Sequence, residues 1–270
     1  MRIFTKNKKK KKSIDPIDGA RRTGPASCQI GWVSPRYSES RFVKLDPQRL
    51  EDNRAVCLFP GAAETDQYRV LRTQIRHRTK KKGWNTVMIT SANPGEGKTL
   101  TSINLAFSFA REFDQTVLLV DSDLKRQSIH KRLGYASELG LSDYLLNDRP
   151  MKDLIVWPGI EKLTIISGGR TILDSTELLG SPRMKALVEE MKSRYHNRCI
   201  IFDTPPVLSR SDAVAFSPLI DCIVMVVEAG MTTIEDVQKA LELLPKEKFL
   251  GFVLNRAKME LNGYQSAGAD

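Results

Sequence analysis

The chain has no long apolar run. Its longest, Cys222-Ile223-Val224-Met225-Val226-Val227, falls far short of the roughly 20 residues a helix needs to cross a bilayer. No apolar stretch follows the N-terminal lysines, which argues against a secretory signal. Among 270 residues there are only 4 Cys and 3 His. Cys28, Cys57, Cys199 and Cys222 show neither C-x-x-C spacing nor clustered histidines, so they read as reduced thiols, the last two on buried strands. No aromatic interleaving or binding motif accompanies the basic N-terminus, so no specific nucleic-acid partner is expected. These absences leave a soluble, cytoplasmic protein as the expectation.

Acidic residues are scarce in one region. Residues 1–82 carry 21 Lys/Arg against 8 Asp/Glu, and residues 83–270 carry 21 against 24. The net charge of +10 therefore belongs to the N-terminal region, and the remainder is near neutral. Lys6, Asn7 and the run Lys8 to Lys12 have like charges that repel and nothing apolar to bury, so disorder is expected there. Such a tail would suit an anionic lipid surface, nucleic acid or an acidic partner, or be simply solvated. Residues 1–60 as a whole, rich in Pro, Ser and Arg, read as a basic, largely irregular arm, with Val43 to Val56 packing against the domain.

Beyond the arm the pattern becomes regular. Apolar strand-like runs occur at 84–91, 116–121, 163–167, 199–203, 222–228 and 249–254. Helical patterns occupy 65–82, 98–113, 183–196, 209–218 and 232–244. Alternating strands and helices predict one α/β domain over 61–257, with a mostly parallel sheet covered by helices on both faces. A short tail, 258–270, follows. Ligands of such sheets bind beyond the C-terminal strand ends, which directs attention to 91–99, 121–127 and 203–212.

The first of these segments reads Ala92-Asn93-Pro94-Gly95-Glu96-Gly97-Lys98-Thr99. Strand, glycine-containing loop and Gly-Lys-Thr opening a helix form the context of a phosphate-binding loop. Gly95 and Gly97 let backbone N–H groups converge on a phosphate, and the helix N-terminus adds partial positive charge. Lys98 can reach β/γ-phosphates and the Thr99 hydroxyl can ligate Mg²⁺. Asn93, Pro94, Glu96 and Leu100 complete the candidate nucleotide-binding stretch, a P-loop NTPase reading in which Ala92 replaces the usual first glycine.

The other two segments carry carboxylates. Val117-Leu118-Leu119-Val120 runs into Asp121-Ser122-Asp123-Leu124-Lys125, and Cys199-Ile200-Ile201-Phe202 runs into Asp203-Thr204-Pro205-Pro206. An acid after an apolar strand beside a phosphate loop can hold Mg²⁺, directly or through water. If the strand continued so far, alternation would aim Asp121 and Asp123 similarly, and one could accept a proton from an incoming hydroxyl. The alternative is that they cap the next helix.

Together the three segments resemble the Walker A, A′ and B motifs of bacterial tyrosine kinases, the CpsD/CapB-type polysaccharide-biosynthesis autokinases. Leu139-Gly140-Leu141-Ser142-Asp143, Glu177-Leu178-Leu179-Gly180-Ser181, Ser211-Asp212-Ala213 and Val253-Leu254-Asn255-Arg256 are similar to family segments as well, over roughly 64–257. The resemblance implies ATP- and Mg²⁺-dependent phosphorylation of tyrosine on the protein itself and on exopolysaccharide enzymes. It implies that Lys98 binds the transferred phosphate, that Thr99 holds the metal and Asp203 does so through water, and that Asp121 deprotonates the tyrosine or positions the metal. Asp123 would support the site, and Asn255 resembles the adenine-contacting Asn of the broader ATPase class.

It further implies a homo-oligomer. Asp66, Arg69 and Arg72 are similar to an E-x-x-R-x-x-R interface element, with a shorter acid. A membrane polysaccharide co-polymerase or activator protein is the implied partner, reached at the inner face of the cell membrane. Two departures stand out: Lys125 occupies an Arg position, and the tail has one tyrosine, Tyr264, in place of a cluster. Tyr264 is either a lone phospho-acceptor or an incidental residue. The rival reading is an ATP-switched ATPase or scaffold related to MinD/ParA, whose loop typically has a lysine where Asn93 stands.

Overall fold

A computed structural model of the chain describes residues 40–59, 64–194 and 197–257, all within the compact unit Gly31–Asp270. The lysine run, Cys28, Tyr264 and the 258–270 tail lie outside the described residues.

The elements run β1 (Arg41–Phe42), α1 (Pro47–Asp52), α2 (Glu64–Lys80), β2 (Thr86–Ser91), α3 (Lys98–Ala110), β3 (Thr116–Asp121), α4 (Ile129–Leu133), α5 (Leu141–Asn147) and α6 (Met151–Leu154). They continue with β4 (Ile155–Trp157), β5 (Leu163–Ile166), α7 (Ser175–Leu179), α8 (Pro182–Arg194), β6 (Arg198–Asp203), α9 (Asp212–Phe216), β7 (Cys222–Glu228), α10 (Ile234–Glu242) and β8 (Phe249–Asn255). The eight strands form one sheet in the order β1-β4-β5-β3-β6-β2-β7-β8. Every pairing is parallel except β4 with β5.

The central strands are buried on both faces, which is why β2 (TVMITS), β3 (TVLLVD) and β6 (RCIIFD) read as continuous runs of β-branched and apolar residues instead of alternating. Alternation instead divides them between two cores. Met88, Leu118, Val120, Ile200 and Phe202 pack with Met184 and Leu187 of α8. Val87, Ile89, Val117, Leu119 and Ile201 pack with Ile103 and Phe107 of α3. Each such large side chain contributes roughly 1.5–3 kcal/mol on burial. In α3 only Lys98 and Leu100 escape full burial, because the N-terminal segment covers its outer face.

Of the arm read over 1–60, only residues 40–59 are described, and they contain short regular elements. Asp46 caps α1 by accepting from the Gln48 N–H at 3.0 Å, with Pro47 entering the first turn. Beyond α1, Asn104 of α3 accepts from the Cys57 N–H at 3.0 Å and donates to the Arg54 carbonyl at 2.9 Å. The packing expected of Val43 to Val56 is therefore present, with regular structure inside it.

β2, β6 and β3 are adjacent, so their C-terminal ends bring 91–99, 203–206 and 121–128 to one edge of the sheet.

Candidate nucleotide and phosphoryl-transfer site

The loop after β2 bends through Gly95 (φ +90°) and Gly97 (φ +97°), the left-handed region that glycine enters without strain. At Gly97 space is also restricted: a Cβ there would sit 2.0 Å from Asn255 Nδ2. That same Nδ2 donates to the Glu96 carbonyl at 2.8 Å, so the end of β8 rests directly on the loop.

Glu96 is buried and both its oxygens are used. Oε2 accepts from the Asn93 N–H at 3.1 Å and Oε1 from the Thr232 hydroxyl at 2.6 Å. Asn93 Nδ2 in turn donates to Asp236 at 2.9 Å. Two hydrogen bonds therefore fasten the loop to the turn before α10 and to its first turn.

Lys98 opens α3 and turns into a carboxylate cluster. Its Nζ lies 3.3 Å from Asp123 Oδ2 and 3.8 Å from Asp203 Oδ1. Burial pulls the lysine pKa down, but the charges of Asp203, Asp123 and Asp121 outweigh it and raise the value. Asp203 Oδ1 also accepts from the Ser102 hydroxyl at 3.2 Å, while its buried Oδ2 takes no hydrogen bond among the described residues. Burial raises the Asp203 pKa against the opposing charge of Lys98. The Thr99 hydroxyl is 3.1 Å from that of Ser128.

Asp121 and Asp123 do not point alike, because β3 ends at Asp121 and strand alternation stops there. The Asp121 carboxylate accepts from the Asp123 N–H (3.2 Å), the Ser128 N–H (3.0 Å) and the Ile129 N–H (3.1 Å), anchoring the turn and the start of α4. Burial, then the charge of Asp203, pushes its pKa up to about 7. Asp123 instead lines the open cleft, held by Lys98 and by Arg210 at 2.9 Å.

The cleft has a volume of about 730 Å³ and is bounded by Pro94, Gly95 and the stretch Gly97 to Leu100 of the loop, Asp123, Pro206 and Arg210, the segment Asp52–Arg54, Arg126, Arg132, and Asn255 with Arg256. Asn93 and Glu96 lie outside this lining and act on the loop from behind. Lys125 also points elsewhere, toward buried Asp212 at 3.5 Å, which Ser175 contacts as well. A phosphate clamp at that position therefore has no support here.

The interface triplet is divided. Asp66 and Arg69 form an exposed pair at 2.6 Å. Arg72 turns inward, 2.6 Å from Glu112 and donating to the Ser108 carbonyl at 2.8 Å.

Sequence reasoning missed Arg210, Ser128, Thr232 and Asp236. Arg210 and Ser128 sit in or beside the strand-end segments already singled out, whereas Thr232 and Asp236 lie more than 130 residues from the loop and carry no local signal.

A family model described as the CobQ/CobB/MinD/ParA nucleotide binding domain matches residues 87–267, which defines the class to which fold and site belong. The septum site-determining protein MinD from Pyrococcus horikoshii, complexed with Mg-ADP, shares that fold with a TM-score of 0.54 over 64% of this chain and 72% of that one, at 23% identity.

Other relatives are nearer. The tyrosine-protein kinase YwqD of Bacillus subtilis is 35% identical over 213 residues, 78% of this chain and 89% of that protein. The tyrosine-protein kinase CpsD of Streptococcus pneumoniae is 33% identical over 74% of this chain and 87% of its own length. The kinase domain of the Escherichia coli tyrosine kinase ETK superposes with a TM-score of 0.70 at 27% identity, covering 84% of this chain and 93% of that domain. The chain belongs to the bacterial tyrosine-protein kinase family.

Proposed function

We propose that this kinase binds ATP with Mg²⁺ along the loop at 93–100 and transfers the γ-phosphoryl group to tyrosine hydroxyls, its own and those of proteins that make or export exopolysaccharide. The observation that carries the reading is the convergence of Lys98, Asp121, Asp123 and Asp203 at one sheet edge beside a glycine-shaped loop.

The residues suit a hard cation. The orphaned Asp203 Oδ2 and the Thr99 hydroxyl offer oxygen donors, and Mg²⁺, when bound, supplies charge neutralisation at the phosphates. Asp121, its oxygens taken by backbone N–H groups, braces that site more than it ligates. The N–H groups of the loop and of the first turn of α3 hold phosphate oxygens. Lys98, turned from Asp123 to the transferred phosphate, would leave Oδ2 of that carboxylate open to the cleft while Oδ1 stays with Arg210.

Proton acceptance from the tyrosine falls to the Asp121–Asp123 turn. Burial and the charge of Asp203 push the Asp121 pKa up to about 7, toward the range a general base uses, while Asp123 is the member that faces the cleft. Asn255, against the loop, marks the adenine end.

Exposed Asp66 and Arg69 suit contact with a second copy, and Tyr264 suits an acceptor. No helix among the described residues is long and apolar enough to cross a membrane, so work at the inner membrane face would rest on an activator protein or on the lysine arm. The reading is tested by phosphoamino-acid analysis after incubation with labelled ATP and Mg²⁺. Phosphotyrosine on the chain or on an added peptide is expected, and ATP hydrolysis with no phosphotyrosine would overturn it.

A further inference from the structure

We infer that the acceptor this site selects is a tyrosine flanked by acidic residues, read by Arg126 and Arg132; the inference rests on the kinase reading above. Among the described residues six cationic side chains line the cleft, and three are already committed. Lys98 and Arg210 hold Asp123, and Arg256 holds Glu228 at 2.6 Å. Arg54, Arg126 and Arg132 have no carboxylate within ion-pairing distance among the described residues. Arg54 stands toward the Asn255 end, where it also borders a second hollow lined by Leu100 and Asn255.

Arg126 and Arg132 line the same cleft from the Asp123 turn and from α4. The Arg126 N–H donates to Asp123 Oδ1 at 3.0 Å, so this arginine belongs to the turn that carries the proton acceptor. Arg132 lies on α4, whose start is pinned by Asp121, and its carbonyl accepts from Asn53 Nδ2 at 3.1 Å. That bond joins α1 to α4 as one wall of the cleft.

ATP laid from Asn255 to Lys98 leaves this wall facing the incoming hydroxyl. Two guanidinium groups there without an ion-pair partner among the described residues, beside Asp52 and an Asp123 already held by Lys98 and Arg210, attract carboxylates in a two-pronged geometry and repel lysine-rich segments. Partly exposed pairs are worth ~0.2–1 kcal/mol each, so two of them amount to an effect of roughly two- to thirtyfold on acceptor KM.

The test uses the full chain with Mg-ATP and two synthetic peptides that present one tyrosine between glutamates or between lysines. A lower KM for the glutamate peptide is expected. Arg126→Ala with Arg132→Ala should raise that KM severalfold while the KM for ATP holds. Arg126→Glu with Arg132→Glu should shift preference to the lysine peptide, and Arg126→Lys with Arg132→Lys should retain the original preference, which separates charge reading from misfolding. Equal KM values for the two peptides in the wild type, or an effect of the alanine pair confined to the KM for ATP, would overturn the inference and leave the kinase reading standing. Absence of phosphotyrosine on every acceptor, the chain included, would overturn both.

Discussion

Asp121 and Asp203 occupy directly paired positions on the neighbouring parallel strands β3 and β6, and both are fully buried. Two carboxylates so placed cannot both ionise without cost. Burial together with the charge of Asp203 accordingly lifts Asp121 from 3.8 to about 7.

A stability profile follows from that shift. The folded pKa lies above the unfolded one, so between about pH 4 and 7 the folded chain holds a proton that the unfolded chain has released. The stabilisation is complete below pH 4 and is lost as pH rises through 7, with a slope of at most about 1.4 kcal/mol per pH unit. Urea titrations in chelator-containing buffer from pH 4 to 7.5 should show this decline in the wild type and a flatter profile in Asp121→Asn. A wild-type profile no steeper than that of the variant would contradict the assignment.

The loop depends on a residue that touches no phosphate. Glu96→Gln removes the carboxylate charge and one of the two acceptor oxygens that serve the Asn93 N–H and the Thr232 hydroxyl, so one buried charge-assisted bond is lost or must reverse, at a cost of about 1–3 kcal/mol. Nucleotide affinity by calorimetry should fall about tenfold or more while the fold persists. Thr232→Ser should bind as the wild type does, and Thr232→Val should resemble Glu96→Gln. Unaltered affinity in both Glu96→Gln and Thr232→Val would show that the latch does not shape the loop.

Arg72 and Arg69 should separate in experiment. Arg72→Ala strips a largely buried cation from Glu112, although Arg76 still pairs that acid at 2.7 Å. Because Glu112 keeps one cation, the loss in stability is expected to be roughly 1–3 kcal/mol. The exposed Asp66–Arg69 pair contributes little to stability, so Asp66→Ala with Arg69→Ala should melt as the wild type does. If a second copy docks on this helix, light scattering should show smaller species for the latter variant. An unchanged oligomer mass would remove the interface proposal.

Much of the fold was legible because central parallel strands are unbroken apolar runs. All six predicted strands are present within two residues at each end. β1 and β4 were not legible: two and three residues (Arg41–Phe42, Ile155–Trp157) are too short for any periodicity to register. The helix expected at 209–218 shrinks to Asp212–Phe216 before a 3-10 turn at Ser217–Leu219, where Pro218 removes a backbone donor.

In the candidate site, Lys98, Thr99, Asp121, Asp123 and Asp203 were legible because each lies at a strand end or in the segment just after one. The direction of each side chain was not. Whether Asp121 faces amides or the cleft depends on where β3 stops, and the partner of Lys125 depends on where α9 packs. Likewise Thr232 and Asp236 reach the loop only through the order of strands in the sheet.

The destination of the γ-phosphoryl group tests the central claim most directly. With γ-labelled ATP, Mg²⁺ and a tyrosine peptide, the wild type should place label on tyrosine. Lys98→Ala should lose about 10²–10³ of that rate, as removal of one group that stabilises transition-state charge commonly does. Label released by the wild type solely as inorganic phosphate, with none on tyrosine, would contradict the account.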